Sequence, residues 1–250
     1  MKPSAVRPIL SVFLLLWTLT PLESQIPNSD LRRSTMPVSS KSWIPLFDGK
    51  STVGWRSACG RAFPDTGWVI REGALTVLAA GGPDGRRGGD IVTRERFSDF
   101  ELRFEFRIID GANSGVKYFV QENLPNAPGA AIGMEYQILD DDLNEDAAAG
   151  REGNHTNASL YDLIPARNKK NRPVGEWNSA AILVRGGHVE HWLNGEKVLQ
   201  CERESDEFRR LVSESKYRIY PGFGDWKDGH ILLQDHGGGV SFRNIQIRRF

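Results

Sequence analysis

The sequence predicts an all-β protein, a β-sandwich of jelly-roll type carrying one short helix. Three observations lead there. Apolar and polar residues alternate at strand period in run after run. Glycine and asparagine turns separate those runs. Helical spacing is confined to residues 206–213, where Phe208, Leu211 and Val212 share one side. Many strands with few helices are accommodated by stacking two antiparallel sheets around one core.

The strands follow from this alternation. Gly67-Trp-Val-Ile70, the turn Glu72-Gly73, and Ala74 to Leu78 read as a hairpin. From Phe100 to Ile109, Leu102, Phe104, Phe106 and Ile108 alternate with Glu101, Arg103, Glu105 and Arg107, which predicts a strand with one buried and one wet face. Asn113-Ser-Gly115 leads into a strand where Lys117 points away from Val116, Tyr118 and Val120. In Gly133 to Asp140, Met134, Tyr136 and Ile138 claim the core, so Glu135 and Gln137 emerge together on the opposite face. Ala180 to Val184 passes through Gly186-Gly187 into His188 to Leu193, where Glu190 and Trp192 share a face opposite Val189, His191 and Leu193. Asn194-Gly195 then turns the chain into Lys197 to Cys201. The last hairpin joins residues 229–236 to residues 240–250. There Gln234 and His236 share a face opposite Ile231, Leu233 and Asp235, and the apolar phase slips between Phe242 and Ile245, predicting a bulge.

The chain's 250 residues suffice for one substantial core. Lys plus Arg and Asp plus Glu number 32 each, so no net field recruits nucleic acid, and the basic run from Arg167 to Arg172 reads as a loop. Lys2 and Arg7 precede an apolar run from Ile9 to Leu22, the order of a signal peptide over residues 1–24, with no membrane span left after cleavage. The expectation is a secreted or periplasmic protein with a flexible leader at 25–42 and a single domain at 43–250. Cys59 and Cys201 make no disulfide framework or zinc spacing. Asn154-His-Thr156 and Asn157-Ala-Ser159 fit the glycosylation sequon.

The candidate chemistry lies on the polar faces. If the outward faces belong to one sheet, Glu135, His236 and Lys117 supply acid, base and positive charge, and Asn113, Gln137 and Gln234 supply hydrogen bonds. Glu190, His191 and Trp192 add a carboxylate, an imidazole and a stacking surface. Each has a plainer role available. Glu135 and Lys117 can be solvated strand residues, His236 can cap a turn, Trp192 can pack, and His191 sits on an apolar face that favours a satisfied core histidine. The acidic run Asp140, Asp141, Asp142, Glu145 and Asp146 lacks the spaced ligands and glycine of a calcium loop, although Asp140 can reach a cleft rim. No nucleophile elbow, phosphate loop or zinc-protease helix is present, and no compact pair of glycosidase carboxylates stands out.

From Trp43 to Phe250 the chain resembles the secreted bacterial 3-keto-disaccharide hydrolase family. The matching segments are Trp43-Ile-Pro-Leu-Phe-Asp-Gly49, Gly89-Asp-Ile-Val-Thr93, Phe97-Ser-Asp-Phe-Glu101, Asn113-Ser-Gly-Val-Lys-Tyr118, Glu135-Tyr-Gln-Ile-Leu-Asp140, Leu160-Tyr-Asp-Leu163, Gly175-Glu-Trp-Asn178, His188 through Gly195, Leu233-Gln-Asp-His-Gly237 and Phe242-Arg-Asn-Ile245. The resemblance implies a concanavalin A-like jelly roll acting on carbohydrates whose C3 hydroxyl is already a ketone. Such a ketone acidifies the C2 proton, so cleavage can run by deprotonation, elimination and hydration. That route requires a base, an electrophile at the C3 oxygen and an acid near the leaving oxygen. On this reading Glu135 or His236 is the base and Lys117 polarises the ketone, while a divalent metal held by histidine and carboxylate is an alternative electrophile. A non-catalytic lectin-like binding module is the rival reading, followed by a conventional glycosidase and a structural surface protein.

Overall fold

Two antiparallel sheets pack face to face in the computed structural model, which describes residues 42–79 and 87–250. The larger sheet runs in the order β11 (Glu196–Glu202), β10 (His188–Leu193), β9 (Asn178–Arg185), β6 (Phe100–Ile108), β13 (Val240–Arg249), β4 (Ala74–Val77) and β3 (Trp68–Arg71), with β1 (Ile44–Pro45) also paired to β13. The smaller sheet runs β2 (Trp55–Ser57), β5 (Ile91–Thr93), β12 (His230–Leu233), β7 (Asn113–Leu124) and β8 (Ala127–Leu139). The fold is the predicted all-β jelly-roll sandwich. The described residues all fall within one compact unit, Met36–Phe250. The expected signal peptide, and the leader up to residue 41, lie outside the described residues. No helix among the described residues is long and apolar enough to cross a membrane.

Alternation builds the core. Leu102, Phe104, Phe106 and Ile108 of β6 face Val116, Tyr118, Met134, Tyr136 and Ile138 from the smaller sheet in one continuous apolar cluster. Turns hold the register where the sequence points to them. Glu72 and Gly73 carry φ of 51° and 74° between β3 and β4, and Asn194 and Gly195 carry 50° and 85° between β10 and β11. In β13 the register slips between Arg243 and Gln246, with Asn244 at φ 52°, so the bulge sits inside the predicted interval.

Four expectations change. Val120 does not follow Val116 and Tyr118 inward. Phe119, at φ 54°, interrupts the pleat, enters the core itself and turns Val120 outward to pack with Val92 and Leu232. Glu101, on the nominally wet face of β6, is fully buried because Arg248 of β13 donates to its carboxylate, 2.8 Å from Nε, and Arg103 flanks it. The helix predicted over 206–213 is α2 (Asp206–Glu214), capped by Ser205, whose hydroxyl accepts from the Phe208 amide. A second helix, α1 (Asp146–Ala149), is a single turn with no buried residue, so it leaves no apolar period to read. The two sequon asparagines, Asn154 and Asn157, are only 1% and 2% exposed, which closes both to a glycan in the folded state.

Candidate active site

Strand pairing alone assembles the site. Arg56 faces Val92, Val92 faces Leu232, Leu232 faces Lys117, and Lys117 faces Glu135, a row of directly opposed residues across β2, β5, β12, β7 and β8. Opposed residues project to the same side of a sheet, so the row lies on the outer face of the smaller sheet, away from the core. One step along, Gly115 is paired with Gln137, and its carbonyl accepts the Gln234 amide at 3.0 Å. Gly115 cannot be replaced freely, since a Cβ there would meet Glu135 Oε1 at 2.3 Å. The missing side chain is what lets the Glu135 carboxylate lie down on the sheet.

The floor is therefore sunken. Glu135 and Gln137 are 4% and 1% exposed, although they face away from the core. Ala131 to Gly133 and the 3₁₀ turn Lys216–Ile219 raise walls on either side, enclosing a cleft of about 260 Å³ lined also by Lys117, Tyr217, Tyr220 and Gln234. Glu135 is the single carboxylate in that lining, between Lys117 and Lys216. Gln137 donates through Nε2 to Asn113 Oδ1 at 3.3 Å, while its Oε1 and the Tyr217 hydroxyl are buried without hydrogen-bond partners.

The two lysines differ in their surroundings. Lys117 Nζ lies 3.8 Å from Asp90. Burial raises the Asp90 carboxyl above its ordinary range, and the Lys117 charge opposes that rise. Asp90 also accepts the Asp235 amide at 2.9 Å, and Asp235 in turn accepts the Gly89 and Gly237 amides. Lys216 Nζ instead lies 3.9 Å above the Tyr161 ring and 5.1 Å from that of Tyr217. Burial lowers its ammonium pKa, partly offset by Glu135. Tyr161 is fixed from several sides: its amide donates to the Glu135 carbonyl at 3.0 Å, its hydroxyl to Asp146 at 3.0 Å, and its ring stacks on His155 at 4.1 Å. His155 bridges Asp146 and Asp162 at 2.9 and 3.3 Å, and Asp162 accepts the Lys216 amide at 2.7 Å.

The structure thus brings Glu135, Lys117 and Gln234 together in the cleft lining, with Gln137 and Asn113 further along the same sheet face and outside that lining. His236 follows β12 and is exposed; it stands near enough to Asp90 for its charge to bias that carboxyl, but it does not line the cleft. Glu190, His191 and Trp192 are elsewhere, because β10 belongs to the larger sheet. Glu190 accepts from Trp192 Nε1 at 2.8 Å and from Lys197 at 3.0 Å on that sheet's outer side. His191 is fully buried in the core, with Nδ1 donating to the Ala158 carbonyl at 2.9 Å and Nε2 accepting from the Tyr118 hydroxyl at 3.0 Å. Burial holds its imidazole down at about 4. Asp140 caps a turn by accepting the Gly111, Asp142 and Leu143 amides. Cys59 and Cys201 are both free thiols. Among the described residues no three His, Cys, Asp or Glu side chains gather as a metal ion would require.

The sequence model of the 3-keto-alpha-glucoside-1,2-lyase-like domain matches residues 42–248. The chain belongs to this family. A 3-keto-disaccharide hydrolase of Bacteroides thetaiotaomicron is 35% identical over 233 residues, covering 85% of this chain and 80% of the relative. A crystal structure of a candidate glycosyl hydrolase from Parabacteroides distasonis superposes with a TM-score of 0.72 at 31% identity, over 83% of this chain and 94% of the other. A second from the same organism gives 0.62 at 26% identity, over 84% and 100%. Membership of the 3-keto-glucoside lyase-like family makes the chain a glycoside-hydrolase-like protein on a jelly-roll frame. Asp90 and Tyr161, which neither periodicity nor face assignment selects, sit inside the family segments Gly89 to Thr93 and Leu160 to Leu163. Lys216 and Tyr217 carry no such signal and become visible only when the 3₁₀ turn folds over β8.

Proposed function

We propose that the protein cleaves the glycosidic bond of 3-keto-glycosides or 3-keto-disaccharides by C2 deprotonation, elimination and hydration, with Glu135 as the base. The observation that carries this reading is the lone carboxylate: Glu135 lines the cleft with two lysines and no second acid. Direct displacement at an anomeric carbon uses two carboxylates about 5–10 Å apart. Enolate chemistry uses one base and positive charge. Glu135 is preferred to His236 because it lines the cleft and His236 stands outside the lining.

The steps balance without an external oxidant. Glu135 removes the C2 proton, the C–H electron pair forms C2=C3, and the carbonyl pair moves onto the C3 oxygen. As the ketone re-forms, the C2=C3 pair shifts to C1=C2, the C1–O bond breaks, and the leaving oxygen takes a proton equivalent to the one Glu135 removed, which restores the carboxylate. Water then adds across the enone, hydroxyl to C1 and proton to C2. The positive side of the cleft would oppose the charge on the C3 oxygen, and Gln234, which lines the cleft, would hold a hydroxyl, with Gln137 and Asn113 supporting the floor beside it. The charged and apolar order of residues 2–22 supports export, so the substrate would be met outside the cytoplasm.

The test offers purified protein a 3-keto-glucoside and the matching unoxidised glucoside. Release of aglycone from the 3-keto sugar alone is expected. Cleavage of the unoxidised glucoside at a comparable rate would overturn the mechanism. Cleavage of neither, with calorimetric binding retained, would make the protein a lectin-like module; no tryptophan lines the cleft, so indole fluorescence is a poor reporter.

A further inference from the structure

We infer that Lys216, not Lys117, is the catalytic electrophile that receives the charge developing on the substrate's ketone oxygen; this rests on the reading of the cleft as an enolate-forming site. Both ammonium groups line the cleft with Glu135, so the choice depends on what each already faces. Lys117 lies 3.8 Å from Asp90, a half-buried carboxylate anchored by the Asp235 amide. A cation already opposed by an anion has less field to give to a second one.

Lys216 has no carboxylate within ion-pair range among the described residues and rests on two aromatic faces, 3.9 Å from the Tyr161 ring and 5.1 Å from the Tyr217 ring. Aromatic faces orient an ammonium without neutralising it. The seat is also rigid. The Lys216 amide donates to Asp162, and the Tyr161 ring is held between His155 stacking and the Asp146 hydrogen bond. Lys216 is therefore an oriented cation outside any ion pair among the described residues, at the wall of a cleft whose floor is a general base. That is the arrangement which stabilises an oxyanion more than a neutral ketone. Burial lowers the ammonium pKa as well, which makes it a better hydrogen-bond donor to an enolate oxygen. The Tyr217 hydroxyl, buried without a partner beside it, offers a second donor from the same turn.

The experiment follows exchange of the C2 proton of 3-keto-1,5-anhydroglucitol in D₂O by NMR, since this sugar has no glycosidic leaving group at C1 and reports enolate formation without aglycone release. Exchange by the unaltered protein is expected; if it neither exchanges this sugar nor cleaves a 3-keto-glucoside, the function itself is wrong. With exchange established, Lys216→Met should slow it by about 10²-fold, the usual effect of losing one oxyanion donor, with the thermal transition retained. Exchange within threefold of the unaltered protein would overturn the assignment while leaving the function standing. Should Lys216→Met fail to fold, Lys216→Arg decides: retention of a tenth or more of the exchange rate supports a cation at this position, and a lower rate overturns it.

Discussion

Gly115 and Glu135 share one volume: a Cβ on Gly115 would stand 2.3 Å from Oε1 and 3.0 Å from Cδ and Cγ of Glu135. The residue without a side chain and the residue with the reactive one are neighbours across β7 and β8, and the first sets where the second can lie. Gly115→Ala should therefore displace the carboxylate. A stability cost of about 1–3 kcal/mol is expected, with turnover falling more steeply than stability. Placing Gly115→Ala in a Glu135→Ala background should remove most of the stability cost, and a double-mutant cycle by chemical denaturation measures that coupling. Equal costs in both backgrounds would show that the crowding lies elsewhere.

Glu135→Gln keeps the shape of the side chain and removes its basicity. Turnover of a 3-keto-glucoside should drop by roughly 10²–10⁴-fold, with an unchanged melting transition. Near-normal turnover would remove Glu135 as the base.

His191 predicts a stability profile rather than an activity. Its folded-state pKa of about 4 lies below the ordinary histidine value because of burial. The unfolded chain therefore binds this proton first, and stability falls as pH drops from about 6.5 through 4, by on the order of 3 kcal/mol from this group. Urea denaturation at steps across that interval should show the decline in the unaltered protein and a flatter profile in His191→Gln. Parallel profiles would mean that other groups dominate.

Glu101 and Arg248 form a buried ion pair on β6 and β13. Glu101→Ala leaves the Arg248 guanidinium largely buried without that carboxylate, and should cost about 3–5 kcal/mol. Cleft chemistry should be untouched at temperatures where the variant stays folded. A loss below 1 kcal/mol would show that Arg248 finds water.

Which of these features the sequence reveals depends on whether a local period carries them. Tyr136 and Ile138 had to be buried, so Glu135 and Gln137 had to turn outward, and the structure places all four as the alternation requires. Val120 escaped because Phe119 takes a left-handed backbone, which a bulky residue seldom does and no residue type announces. Glu190 and Trp192 were assigned to the correct side of their strand, but alternation says nothing about which sheet a strand joins. Lys216 was hidden for a different reason. Its place depends on a 3₁₀ turn tethered through Asp162, a contact spanning 54 residues.

The row from Arg56 to Glu135 also constrains when the cleft can come into being. Its middle member, Leu232, belongs to β12, which lies between β5 and β7 though it is the penultimate strand in the chain. Until β12 inserts, the β2–β5 pair has no link to the β7–β8 hairpin, and Lys117 has no neighbour on one flank. A chain emerging from its amino end can form the β3–β4 and β7–β8 hairpins early, but not the cleft, which awaits the closing of a long-range pairing late in synthesis. Partly made chains would thus carry Glu135 on a ribbon of two strands, with the base present and the surrounding sheet still absent.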